Sequence, residues 1–205
     1  MFAIELYAPL QEKINQPIAQ LRNTIVNTSG QGRLILTNGT LKKHVSTCNQ
    51  YQAALNQNYF TKSTYDLSMM SFYTMWCGSL DWLEKAKPGS ESFVEKFFLE
   101  QSFGQLPASM FYSAPGSSNK PKTLIEKYPD ATLSHIGLRS VTIESKQANI
   151  RAVVSLLGKA DFNGNKQQDL LLSIAEYQLK GSHRQYGVYA IGKASSQSEW
   201  VKIDF

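Results

Sequence analysis

The run Asp161-Phe162-Asn163-Gly164-Asn165-Lys166-Gln167-Gln168-Asp169, between two predicted strands, sets oxygen-bearing side chains at alternate positions. With Asp161 as position one, side-chain oxygens fall at positions one, three, five and nine. The carbonyl of Gln167 falls at position seven. In a tight turn alternate residues point the same way, so such oxygens converge, and convergent hard donors suit a hard cation such as Ca²⁺. The candidate ligands are Asp161, Asn163, Asn165 and Asp169 through their side chains and Gln167 through its carbonyl. Only Asp161 and Asp169 carry charge and Lys166 places a cation in the run, so the expected dissociation constant is no tighter than about 10⁻⁴ M. A metal-free turn between two strands suits the same spelling.

These residues resemble the integrin-type FG-GAP or VCBS calcium loop, whose pattern is Asp-x-Asn/Asp-Gly-Asp/Asn-Gly-x-x-Asp followed by an apolar strand. Leu170-Leu171-Leu172 supply that strand. The resemblance covers about ten residues and implies Ca²⁺ as the one cofactor. It departs at the pattern's second glycine, which is Lys166 here, where a left-handed backbone is costlier for a side-chain-bearing residue. Together with Leu170 to Tyr177 and Gly181-Ser182-His183-Arg184-Gln185-Tyr186, the loop is also similar to C-terminal regions of uncharacterised exported bacterial proteins. That likeness implies an extracytoplasmic location and no activity.

Cys48 and Cys77 are the only cysteines. His44, His135 and His183 stand at no ligand spacing to them, so a zinc site is not indicated. Two buried thiols of a cytosolic protein and one disulfide of an exported protein both suit the pair. Because each cysteine falls on an apolar position of a helical pattern, the expectation is a structural disulfide stapling two helices. A Cys–His nucleophile is the poorer account, since His44 lies one helical turn before Cys48. No Gly-x-Ser-x-Gly elbow occurs, and Gly30-Gln31-Gly32 lacks the third glycine of a phosphate loop. No residue is assigned to catalysis or to cofactor binding.

Composition narrows the class. The chain has 205 residues, 42% of them hydrophobic and 18% charged, which suits one compact unit or two small packed halves rather than a disordered chain. Lys+Arg 21 against Asp+Glu 16 leaves a formal charge of +5. The basic residues are scattered, without the stripe a nucleic-acid binder gathers, so nucleic acid is not the expected partner. No apolar run reaches the length of a transmembrane helix. The low charge and many Asn, Gln, Ser and Thr fit an exported bacterial protein, periplasmic or secreted. With no leader pattern at Met1-Phe2-Ala3, the chain is expected to begin at or just before a mature N-terminus.

The elements that must position these groups read as α+β, a helical N-terminal half packed with a C-terminal antiparallel β meander. Leu10, Ile14, Ile18, Leu21 and Ile25 form one apolar helical face, with Pro17 kinking or restarting the helix. Residues 33–37 can be extended. Asn38-Gly39 can turn a hairpin, but Leu41, Val45, Cys48 and Leu55 keep helical spacing and predict a second helix from there. A third helix runs from Ser63 to about Lys85, stopped by Pro88-Gly89, and its Met and aromatic residues read as core. Ser92 with Glu95 predicts a capped fourth helix over 93–100. The Pro- and Ser-rich stretch 113–121 marks the boundary between residues 1–112 and 122–205. Segments 138–144, 148–157, 170–177, 185–193 and 200–205 predict five strands.

The expected function is that of an exported, non-catalytic binding protein, an inhibitor or immunity-type protein whose partner is another protein. The alternative is a cell-envelope hydrolase with an unrecognised active site, which requires a deep cleft with convergent polar groups and at least one strongly perturbed carboxylate or histidine.

Overall fold

The computed structural model describes residues 3–7, 11, 16–26, 34–61, 63–94, 97, 99–112 and 121–204. The fold combines helices with a large antiparallel sheet. Contacts divide the chain into two units, residues 13–84 and residues 1–12 with 85–205, so the parting falls at 84/85 rather than in the stretch 113–121. Residues 113–120 lie outside the described set, as do Leu10, Ile14 and Gly30-Gln31-Gly32.

In the unit of residues 13–84, helix α1 (Ile18–Asn23) begins directly after Pro17, which restarts the chain there. Strands β2 (Leu34–Asn38) and β3 (Leu41–Val45) pair as a hairpin, with Asn38 opposite Leu41 and Gly39 at φ +60. This corrects the second helix: residues 41–45 are extended, and α2 (Cys48–Leu55) starts only after Thr47, whose hydroxyl accepts the Gln50 amide. Turn chemistry at Asn38-Gly39 outweighs an apolar spacing that a strand serves as well. Helix α3 (Thr64–Lys85) has the expected extent, and Ser63 Oγ accepts the Asp66 amide at 2.9 Å. Its Met69 and Tyr73 are buried as core residues, and the Tyr73 hydroxyl donates to the Val45 carbonyl. Leu34, Leu36 and Val45 from the hairpin close the same core.

The other unit is built on the sheet. Strands β5 (Thr132–Ile136), β6 (Ser140–Ser145), β7 (Ile150–Ala160), β8 (Gln167–Gln178), β9 (Arg184–Gly192) and β10 (Val201–Ile203) are antiparallel neighbours in chain order. The five predicted segments are β6 to β10, and β5 adds an edge that the pattern did not reveal. β1 (Glu5–Leu6) joins β7, and β4 (Glu91–Ser92) joins the start of β8 in parallel. The fourth helix is also corrected. Ser92 lies in β4 with its hydroxyl on Gln168 Oε1, and α4 (Leu99–Ser102) is one short turn. Glu95 lies outside the described residues. One face of the sheet packs Leu170, Leu172, Ile174, Val154 and Ile143 under segment 99–112 and helix α5 (Leu124–Lys127).

Candidate functional site

The loop that carries the aspartates joins the two longest strands. The β7–β8 ladder closes with Ala160 opposite Asp169, and the chain turns through residues 161–166. Asp161 and Asp169 are 2% and 1% exposed. Asp161 Oδ1 accepts the amides of Asn163 and Gly164 at 3.2 and 2.7 Å, and Oδ2 accepts that of Lys166 at 2.9 Å. Asn163 Oδ1 takes the Asn165 amide and Asn165 Oδ1 takes the Gln167 amide, two successive Asx turns. Asp169 Oδ2 accepts the Phe162 amide at 3.1 Å.

This donor set suits a hard cation in part. Asp161 and Asp169 are brought to the loop base, close enough for the Asp161 charge to act on Asp169. Burial, more than that charge, pushes the Asp169 carboxyl up to about 7 against the opposing Phe162 hydrogen bond. Asn163 and Asn165 instead stand exposed with their oxygens on backbone amides, so a cation has to compete with those amides for them. Among the described residues no group of three or more His, Cys, Asp or Glu is placed to hold a metal.

Two residues of the loop have left-handed backbone. Gly164 has φ +80 and Lys166 has φ +70, the left-handed region at the position of the pattern's second glycine. The side-chain-bearing residue costs about 1 kcal/mol there. The loop also fastens other chain segments to the sheet. Lys87 and Asp161 exchange both backbone hydrogen bonds, the amides of Ser90 and Glu91 donate to the Lys166 carbonyl, and Gln168 Nε2 reaches the Ala3 carbonyl.

Cys48 and Cys77 form the expected disulfide between α2 and α3, with Cα atoms 5.4 Å apart. No cysteine remains as a thiol, so neither serves as a nucleophile. His44 and His135 are exposed on β3 and β5.

A second polar site escaped the sequence reading. Glu176, on β8, is 0% exposed. Its Oε2 accepts the Tyr112 amide at 3.4 Å, and its Oε1 has no hydrogen-bond partner. Lys127 Nζ donates to the carbonyls of Ala108 and Phe111 at 3.2 and 2.8 Å, and the Tyr128 hydroxyl donates to that of Tyr112. The His183 ring packs on Tyr112 with centroids 3.9 Å apart, and its Nε2 is buried without a partner. Burial pushes the Glu176 carboxyl up to about 7, against the Tyr112 hydrogen bond and the Lys127 charge. Burial lowers Lys127, and burial together with the Glu176 charge raises Tyr128. The signal was present in Leu170, Leu172, Ile174 and Glu176, alternate residues on one strand that put a carboxylate on the core-facing parity.

No family model matches the chain, and neither a curated protein nor a solved structure matches it.

Proposed function

We propose that the protein is an exported, periplasmic or secreted, non-catalytic binding protein that covers or sequesters a protein partner, as an inhibitor or immunity-type protein does. The observation that carries this reading is the hydrogen-bonded apolar tip of the β5–β6 hairpin. Leu138 is 95% exposed there and Ile136 56% exposed. The turn is held by the Gly137 amide on the Ser140 carbonyl, by the Leu156 amide on the Arg139 carbonyl, and by the Arg139 guanidinium 3.9 Å over the Tyr7 ring. An apolar side chain presented by an ordered turn loses little entropy on burial in a partner, which is how interface anchors work. Beside it, β5 pairs only with β6 among the described residues and offers an open edge to an incoming strand.

Export is supported by the disulfide, which persists in oxidising compartments. No helix among the described residues is long and apolar enough to cross a membrane.

The test is affinity capture from the native host with wild type and with Ile136→Asp/Leu138→Asp. The expected result is a stoichiometric protein partner that the double variant loses. Absence of a stoichiometric partner under every condition, or equal capture by the variant, removes the reading.

A hydrolase acting on cell-envelope material is the second reading, favoured by Lys127 and Tyr128 close to the raised Glu176 carboxylate, with His183 against Tyr112. Release of soluble fragments from cell-wall material that Glu176→Gln abolishes is its expected signature. Equal release by the two proteins, or none by wild type, removes it.

A further inference from the structure

We propose that segment 108–112 is a pH-sensitive strap over the end of the sheet, closed while Glu176 is protonated and loosened when that carboxyl ionises. Four groups hold the strap: Lys127 on the carbonyls of Ala108 and Phe111, Tyr128 on the Tyr112 carbonyl, Glu176 on the Tyr112 amide, and the His183 ring on the Tyr112 ring. Three of them come from outside the sheet core, and the fourth, Glu176, is the one that cannot keep its charge comfortably. An ionised carboxylate buried there has one long hydrogen bond and an oxygen with no partner, and such a charge is strongly disfavoured unless water reaches it.

The surroundings leave little to offset that charge. Opposite Glu176, β7 places Ala152 and β9 places Gln185, neither of which titrates. Helix α5 brings Lys127, with Tyr128 just after it, but the Lys127 ammonium is engaged by the two strap carbonyls. The β8–β9 turn brings His183, whose buried Nε2 reaches no acceptor or donor. Lifting the strap admits water to Glu176 without breaking the sheet ladder: it releases the Tyr112 hydrogen bond to Glu176, the three hydrogen bonds from Lys127 and Tyr128 and the ring contact, and it draws Met110 and Phe111 from the core.

The direction follows from the raised carboxyl. The closed form binds a proton up to about pH 7, whereas an opened, hydrated Glu176 has the ordinary value of 4.5. Opening therefore becomes more favourable as pH rises between these values and levels off above about 7. Linkage of one proton over that interval amounts to roughly fiftyfold between pH 5 and 7.5.

The experiment is hydrogen exchange of the full chain at pH 5 and 7.5, each site corrected for its unstructured rate, with a peptide spanning 108–112 compared against one inside β7. The expected result is a roughly fiftyfold loss of protection at 108–112 in wild type, little change in β7, and pH-independent protection at 108–112 in Glu176→Gln. Constant protection in wild type, or an equal loss in Glu176→Gln, overturns the proposal. Carbon-detected titration of Glu176 in the wild-type protein provides a reading independent of the variant's folding. A midpoint near 7 that coincides with the exchange transition supports the strap, and one near the ordinary 4.5 overturns it.

Discussion

Reduction of the Cys48–Cys77 disulfide is the perturbation whose effect follows most directly from the structure. The bond closes a loop over a sequence separation of 29 residues. Removing that tether frees the unfolded chain by about 3.5 kcal/mol at 25 °C on the loop-entropy model. The unit it sits in comprises residues 13–84. At roughly 0.05–0.15 kcal/mol per residue, such a unit is stable by only several kcal/mol, so the tether accounts for much of the whole. Both sulfur atoms are retained on reduction, moving apart to non-bonded contact, whereas Cys48→Ala/Cys77→Ala removes them and leaves a cavity among buried side chains. Protein refolded from the reduced, denatured state therefore isolates the tether. Urea unfolding followed by hydrogen exchange should place the loss in β2, β3, α2 and α3, at denaturant concentrations where β6 to β9 stay protected. The alanine pair should lose more than the reduced protein does. A reduced protein within about 1 kcal/mol of the oxidised one, with unchanged protection in α2 and α3, would refute the reasoning.

Further outcomes concern the loop and the buried carboxylates. Thermal melts in millimolar Ca²⁺ should lie above those in chelator for wild type and coincide for Asp161→Ala; coincident wild-type melts leave the loop as a metal-free turn. Without Ca²⁺, Asp161→Ala should still cost about 3 kcal/mol in urea unfolding, because three backbone amides lose their acceptor. Lys166→Gly should stabilise by about 1 kcal/mol in the same assay by relieving the left-handed backbone at φ +70, and destabilisation would show that the lysine side chain matters more. Asp169 and Glu176 are both raised to about 7, so the folded state binds more protons than the unfolded state. Stability should be full at about pH 4 and fall as pH rises towards 7, by a few kcal/mol in chelator. Asp169→Asn/Glu176→Gln should flatten that slope, and a wild type equally stable at pH 5 and 8 contradicts the assignment.

The strands of the meander were legible from their Val, Ile, Leu and Tyr content between short polar, Gly-containing breaks, although burial alternates along β6 and is continuous over residues 168–174 of β8. Helix α3 was legible at both ends, through the Ser63 cap and the Pro88-Gly89 stop. Edge strand β5 left no such mark, since most of its residues are exposed and neither face is distinguished. Residues 41–45 depart from the expected helix for a related reason. Leu41 and Val45 satisfy a helical spacing, but Leu41 is exposed in the folded chain and only pairing with β2 decides that the segment is extended. The calcium-like loop shows the division at a single site. Spacing placed oxygens at Asp161, Asn163, Asn165 and Asp169, and the local turns then directed them to backbone amides. The two cysteines allowed one intramolecular pair, but bringing their Cα atoms on α2 and α3 to 5.4 Å is a property of packing. At Glu176 the sequence determined parity, a carboxylate in line with Leu170, Leu172 and Ile174. Its desolvation, its unpartnered oxygen and its neighbours Tyr112, Lys127 and Tyr128 come from segments more than forty residues away in the chain, which only tertiary folding lays over the strand.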